Sequence, residues 1–183
     1  MADVKRMAAV LLAAGSARRF GGGKLAQPFD GEPLGLRAAR TLAGVGFGRL
    51  VAVVADDSVD YARAGFQTVR NAPGSPMSSS LRLGIAACAE WEACLVALAD
   101  MPLVPAAHFA ALAAAHEGAV TATLLDGEPV VPAVFGAAEF GRLMALEGDH
   151  GAQRLLGRAK GVAAEAEWLA DVDTPEDLAR LAR

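Results

Sequence analysis

A chain of 183 residues has the length of one ordinary domain and leaves little room for two. At 54% hydrophobic and 21% charged it holds ample apolar material for a packed core, which excludes intrinsic disorder, although 42 small alanines make that share overstate the core. A net charge of −4 argues against a general nucleic-acid coat or an anionic membrane surface, and no stretch reaches the roughly 18 apolar residues of a membrane span.

Along the chain, short apolar runs alternate with alanine- and leucine-rich helical stretches, the pattern of an α/β domain with a mostly parallel sheet. Residues 7–12 read as a buried first strand. The apolar run 7–14 follows Lys5 and Arg6 and so faintly mimics a signal peptide, but it is only eight residues long and is followed at once by Arg18, Arg19 and Lys24. A cytoplasmic protein is expected. A helix is expected over 34–45, where Gly44, Gly46 and Gly48 then make a stop and turn before a strand at 50–55. A short strand at 66–70, a helix at 78–90, a strand at 95–99 and a helix at 105–116 follow. In that last helix Phe109, Leu112 and Ala113 recur at three- and four-residue spacing. His108 and His116 read as ordinary helix residues. Strands at 119–125 and 130–135 flank the turn Asp126-Gly127-Glu128-Pro129. Helices at 138–146 and 151–158 and a strand at 162–168 precede a last helix, with Thr174 as its cap, Pro175 at its first position and Asp177 at its third. Cys88 and Cys94 fit no zinc or redox spacing and read as small buried hydrophobes in a reducing compartment.

The most informative segment is 11–24, LLAAGSARRFGGGK. A buried strand ends in small residues and gives way to a loop with four glycines and three cations. Small residues let a ligand approach the backbone, and free N–H groups in such a loop form an anion nest. Arg18, Arg19 and Lys24 would neutralise a polyphosphate beyond the carboxyl end of the strand. A surface loop with solvated charges is the alternative. The P-loop pattern fails, because Arg18 and Leu25 stand where it needs glycine and a hydroxyl, and the loop holds no GxGxxG.

The segment resembles the signature LAAGxSxRFGxxK of the MobA-like nucleotidyltransferases, and is more similar to their molybdenum cofactor cytidylyltransferase (MocA-type) branch. The resemblance implies one three-layer α/β/α domain over residues 1–183, with a mostly parallel sheet and a Rossmann-like, GT-A-like nucleotidyltransferase fold. It implies that Leu12, Ala13, Ala14 and Gly15 bind nucleotide and that Arg19 and Lys24 contact its phosphates. Ala17 departs from the usual serine; Ser16 beside it is a substitute whose side chain would point differently.

Two acids complete the expectation. Asp100 follows the strand at 95–99, so it sits on the ligand edge of a parallel sheet, where it could also simply cap a turn. Asp100-Met101-Pro102 matches the family's magnesium motif. Asp171-Val172-Asp173-Thr174-Pro175-Glu176-Asp177 resembles the family's D-[IV]-D-T-P-E-D; helix capping explains Thr174, Pro175 and Asp177 but leaves Asp171 and Asp173 over, on one face if the segment is extended. The resemblance makes Asp100 and Asp173 ligands of Mg²⁺, a pair of carboxylates that suits this cation with phosphate and water.

Residues 71–80, NAPGSPMSSS, join a strand to a helix that opens with three serines, donors for a base, ribose or phosphate. Capping by Ser78 accounts for one of them. The stretch from Asn71 through Ser80-Leu81-Arg82-Leu83-Gly84 resembles the cytidylyltransferase pattern N-P-x-x-x-G-[ML]-x-x-S-L-x-x-G, with Ser79 a neighbouring candidate, and Ala14 in LAAG points the same way. Farther on, 127–131 and 146–156 resemble segments near the family's acceptor pocket, with Glu128 where histidine is usual and Gln153 where arginine is usual. Asp149 is either an acceptor-side residue or a helix cap; His150 is an unassigned candidate acid–base group. The resemblance therefore implies a Mg²⁺-dependent transfer of CMP from CTP to a molybdopterin-type phosphorylated acceptor, with a molybdoenzyme as recipient and no nucleic acid or membrane partner. A guanylyltransferase, a sugar- or alditol-phosphate nucleotidyltransferase and a nucleotide-binding maturation chaperone are the alternatives.

Overall fold

The structure, a computed structural model, describes residues 3–15, 20–157 and 159–182. The first strand, β1 (Met7–Ala13), is apolar throughout, as a strand covered on both faces must be. A two-stranded hairpin, β2 (Pro28–Phe29) with β3 (Glu32–Pro33), and helix α1 (Leu34–Ala43) lead to β4 (Arg49–Val54) and β5 (Gln67–Arg70). Helix α2 (Met77–Ala86) leads to β6 (Ala93–Leu98), and α3 (Ala106–Ala115) to β7 (Val120–Leu125) and β8 (Glu128–Gly136). Helix α4 (Phe140–Met144), β9 (Lys160–Ala163) and α5 (Pro175–Leu181) follow.

Seven strands form one sheet in the order β5-β4-β1-β6-β8-β7-β9. β1 pairs in parallel with β4 and β6 (Val10 opposite Val51 and Val96), whereas β8 runs antiparallel to β6 and β7. The alternation of side chains along β1 divides the core into two layers. Ala9 and Leu11 face Leu42 of α1 and Leu112 of α3, while Ala8 and Val10 face Leu81 of α2 and Leu143 of α4. The expected α/β/α sandwich is therefore present, and its alanines bring helix and sheet close together. Gly84 shows how close: a Cβ there would lie 2.5 Å from Val10 Cγ1.

Strand order reverses at β1, with β4 on one side and β6 on the other, so a crevice opens beyond the carboxyl ends of β1 and β6. Everything functional discussed below gathers around it.

The structure departs from the sequence expectations at helix ends. α2 begins at Met77 rather than Ser78, because Pro76, with φ −63° and ψ 156°, stands at the cap position; Ser78 is buried and caps nothing. It ends at Ala86, and 87–90 form turns. The helix expected at 151–158 is a 3-10 segment, Gly148–Leu155, broken at Gly151, whose φ of 53° and ψ of −154° no helix contains. The helix expected at 138–146 shrinks to α4 behind a 3-10 turn, and the strand expected at 162–168 is β9, with Trp168 in the 3-10 turn Ala166–Leu169. Asp126 and Gly127, both at positive φ, make the hairpin turn alone, so β8 already starts at Glu128.

His108 and His116 do more than fill a helix face. The Thr123 hydroxyl donates to the Pro132 carbonyl at 2.7 Å, so His108 Nε2, at 2.8 Å, donates to Thr123, pinning a register shift in the β7–β8 ladder. His116, which caps α3, meets Thr121 at 3.3 Å. Burial pushes both imidazoles below their ordinary pKa. Cys88 and Cys94 are buried free thiols. Among the described residues, no helix is long and apolar enough to cross a membrane.

Because Leu81 is fully buried between α2 and the sheet, Leu81→Ala should cost about 2–5 kcal/mol. Urea unfolding should show this as a lower midpoint with an unchanged slope.

Candidate functional site

Beyond Ala13 the chain leaves the sheet at Ala14 and Gly15, and it returns through Gly21, Gly22 and Gly23, all at positive φ. Gly23, at φ 60° and ψ 19°, is the left-handed residue that turns the chain into the 3-10 segment Lys24–Ala26 and sends the Lys24 side chain inward. Lys24 is buried, which for a lysine demands partners. Its ammonium donates to Asp100 Oδ2 at 2.9 Å and to Asp173 Oδ1 at 3.3 Å.

Each acid is held by the backbone beneath it. Asp100 stands just past β6, whose ladder with β1 is extended by the Ala99 amide donating to the Leu12 carbonyl at 3.1 Å. The Val172 amide donates to the Asp100 carbonyl at 3.0 Å and lays the C-terminal segment across that strand end. Val172 itself is fully buried against Phe29 and Leu34, so the small hairpin and the start of α1 clamp it. Immediately afterwards Thr174 and Asp177 form a reciprocal capping box that starts α5 behind Asp173. The sequence expected that box, and it doubles as the mount for Asp173.

Lys24 is shared by two carboxylates, Asp100 and Asp173. Burial first, then the charges of Asp173 and Asp100, push the Asp171 carboxyl above the ordinary range. Tyr61, buried against Gly35 with no hydrogen bond to its hydroxyl among the described residues, is pushed up by burial and then by Asp56 and Asp100.

The crevice holds a cleft of about 270 Å³ lined by Leu12, Ala13, Ala14, Gly15, Lys24, Ser80 and Asp100, seven of the residues expected to bind nucleotide, joined by Leu25, Ser75, Met77 and Leu98. Asn71 and Ser79 stand behind Ser80. The Asn71 amide donates to Ser80 Oγ at 2.9 Å, and its oxygen accepts from Ser79 Oγ at 3.1 Å and from the Ala72 amide at 2.9 Å. Asn71 thus ties the end of β5 to the first turn of α2 and orients Ser80. Arg19, with Ser16, Ala17 and Arg18, lies outside the described residues. Met77 and Ser75 escaped the sequence reading; the available signal was Pro76, which starts the helix one turn position earlier and sends Met77 to the crevice.

A second cavity, about 620 Å³, adjoins the first and shares Leu12, Met77 and Leu98 with it. Its other walls are apolar (Met101, Leu125, Val130, Val131, Leu169), and its polar rim is Gln153 and Arg154 from the interrupted 3-10 segment. The two segments expected near an acceptor, 127–131 and 146–156, therefore meet here. Glu128 is exposed and does not line the cavity, and the side chains of Asp149 and His150 lie outside what is described.

The residues present fit a divalent cation. Asp100 Oδ1 is buried and accepts no hydrogen bond among the described residues, while Oδ2 and Asp173 converge on one cation already. Hard oxygen donors of this kind suit Mg²⁺ or Mn²⁺. Among the described residues no three His, Cys, Asp or Glu side chains form a metal cluster, so phosphate and water would complete the shell.

An α/β crevice of this build, with a glycine loop, a lysine and two acids at its switch point, belongs to a nucleotidyltransferase-like fold. A profile of the MobA-like NTP transferase domain matches residues 9–164, and the chain belongs to that family. Purine catabolism protein PucB of Bacillus subtilis (strain 168) is 28% identical over 190 residues, covering 92% of each chain. A nucleotidyl transferase from Methanothermobacter superposes with a TM-score of 0.82 at 23% identity, over 96% of this chain and 95% of that one. The manganese complex of Rv0371C from Mycobacterium tuberculosis H37Rv superposes with a TM-score of 0.76 at 24% identity, over 96% and 97%.

The cap behind Asp173 has a pH signature. Hydrogen bonds from Arg180, then Thr174, hold the Asp177 carboxyl down to about 2, against 3.8 ordinarily. A depressed carboxylate contributes stability above its unfolded pKa and loses it as pH falls through its folded one. Thermal melts should therefore place Asp177→Asn below wild type at pH 6, with the two converging as pH drops from about 4 towards 2.

Proposed function

We propose that the chain is a Mg²⁺-dependent cytidylyltransferase that transfers CMP from CTP to the terminal phosphate of a molybdopterin-type acceptor. The observation that carries the reading is the convergence of Asp100 and Asp173 on Lys24, which with Asp100 lines the cleft, and a second cavity opening beside it. CTP would lie in the first cavity, its triphosphate along Gly15 and the loop that contains Arg19 and Lys24, its base or ribose at Ser80. Ala14 and the Ser80-Leu81 match support cytosine over guanine. The apolar second cavity with an arginine on its rim suits an acceptor that pairs an anionic phosphate with a ring body. PucB is named for purine catabolism, which makes a molybdoenzyme of purine breakdown the recipient this likeness suggests. A reducing cytoplasm suits the two free thiols.

In the proposed reaction an oxygen of the acceptor phosphate attacks the α-phosphorus of CTP. The bond from that phosphorus to the bridging oxygen breaks, pyrophosphate leaves, and a phosphoanhydride forms. An ionised phosphate is already nucleophilic, so neither a general base nor a covalent nucleophile is needed. What the chain supplies is alignment and charge. Asp100 and Asp173 would hold the divalent cation, which when bound neutralises triphosphate charge. Lys24, paired to both acids, keeps them convergent and lies within the cleft to receive phosphate oxygens.

Pyrophosphate release with CTP, Mg²⁺ and the molybdenum cofactor tests this directly. Asp100→Ala and Lys24→Ala should each lose roughly 10²–10³ in rate, and GTP in place of CTP should be a poor donor. An Asp100→Ala protein that turns over at the wild-type rate would overturn the assignment, and preference for GTP would move the chain to the guanylyl branch.

A further inference from the structure

Among the described residues the two cavities share three side chains, Leu12, Leu98 and Met77, and these are unlike one another mechanically. Leu12 and Leu98 sit opposite each other in the β1–β6 ladder and are fixed by it. Met77, in the first turn of α2, is 42% exposed, unbranched and flexible. Facing it is Gly151, where a Cβ would lie 2.7 Å from the Met77 sulfur. Gly151 adopts φ 53° and ψ −154°, a region essentially closed to other residues. The break in the 148–155 segment is thus shaped to seat the thioether.

From this placement we infer that Met77 is a partition between the donor and acceptor compartments that keeps water from the α-phosphorus until the acceptor arrives. The inference rests on the cytidylyltransferase reading. In that reading the α-phosphorus stands where the cavities join, and any nucleophile must cross that junction. Among the described residues its walls are two leucines and a methionine, which give water little to orient it for attack. An acceptor brings its own phosphate oxygen and enough apolar surface to displace a flexible methionine. With the partition removed, a water oxygen would attack the α-phosphorus, pyrophosphate would leave, CMP would form and a proton would pass to solvent.

The test needs no acceptor. CMP formation is followed by chromatography in wild type, Met77→Ala and Met77→Leu with CTP and Mg²⁺ alone, alongside calorimetric titration of CTP. Because Met77 is exposed, neither substitution disturbs the core. At saturating CTP, Met77→Ala should raise acceptor-free CMP formation roughly 5- to 10-fold, and Met77→Leu, which keeps the volume, should restore the low rate. Gly151→Ala, which displaces the thioether, should move in the direction of Met77→Ala. An alanine variant that binds CTP and hydrolyses it no faster than wild type overturns the partition. So does a leucine variant as leaky as the alanine one. Failure of wild type to bind CTP at all instead overturns the cytidylyltransferase reading on which the partition rests.

Discussion

The Lys24 ammonium, shared between Asp100 and Asp173, is the contact on which the arrangement of this crevice depends. A buried lysine is tolerable only with its charge matched, and two carboxylates at a strand end would repel each other without a cation between them. Each side of the triangle therefore stabilises the other two, although their residues come from opposite ends of the chain. Asp100 Oδ1, which accepts no hydrogen bond among the described residues, is free to take a further cation. A nucleoside triphosphate with its divalent cation has the right sign pattern to be accepted there.

That triangle is held by features that look purely structural. Gly23 must be left-handed for Lys24 to turn inward, Val172 must be buried in the pocket of Phe29 and Leu34 for the C-terminal segment to cross the end of β6, and the Thr174–Asp177 box must start α5 for Asp173 to face back. The short hairpin, β2–β3, has no evident role in the sheet. Its contribution is this anchorage, which places the last acid against a strand end reached much earlier in the chain.

Much of this was legible before any coordinates. Apolar runs marked β1, β4 and β6 because strands covered on both faces have no polar face to blur the pattern. The Leu12–Gly15 run and Asp100 could be placed because each follows a strand end, where chain direction puts them on one edge, whereas Lys24 and Asp173 were singled out by the resemblance to a family signature. Local rules failed where tertiary contacts override them. Ser78 has the chemistry of a cap, yet Pro76 takes that position, and the shift of one residue brings Met77 to the cavity junction. Asn71 and Ser79 have the look of ligand donors, but their polar atoms are bonded to one another and to Ser80. No periodicity could have disclosed this, since it depends on β5 ending beside α2.

The segment 148–155 shows the same limit from the other side. Its composition reads as a helix, and the glycine at 151 reads as a weak point within one. In the fold that glycine is where the backbone must break so that a side chain from α2 can occupy the space. The apparent defect in local propensity is therefore the local cost of a wall between two cavities. Helix α2 then serves both compartments from a single turn, with Ser80 turned to the donor cleft and Met77 to the junction. A small alanine-rich domain has few large side chains with which to build such boundaries, and here one flexible methionine does what a bulkier chain would assign to a loop.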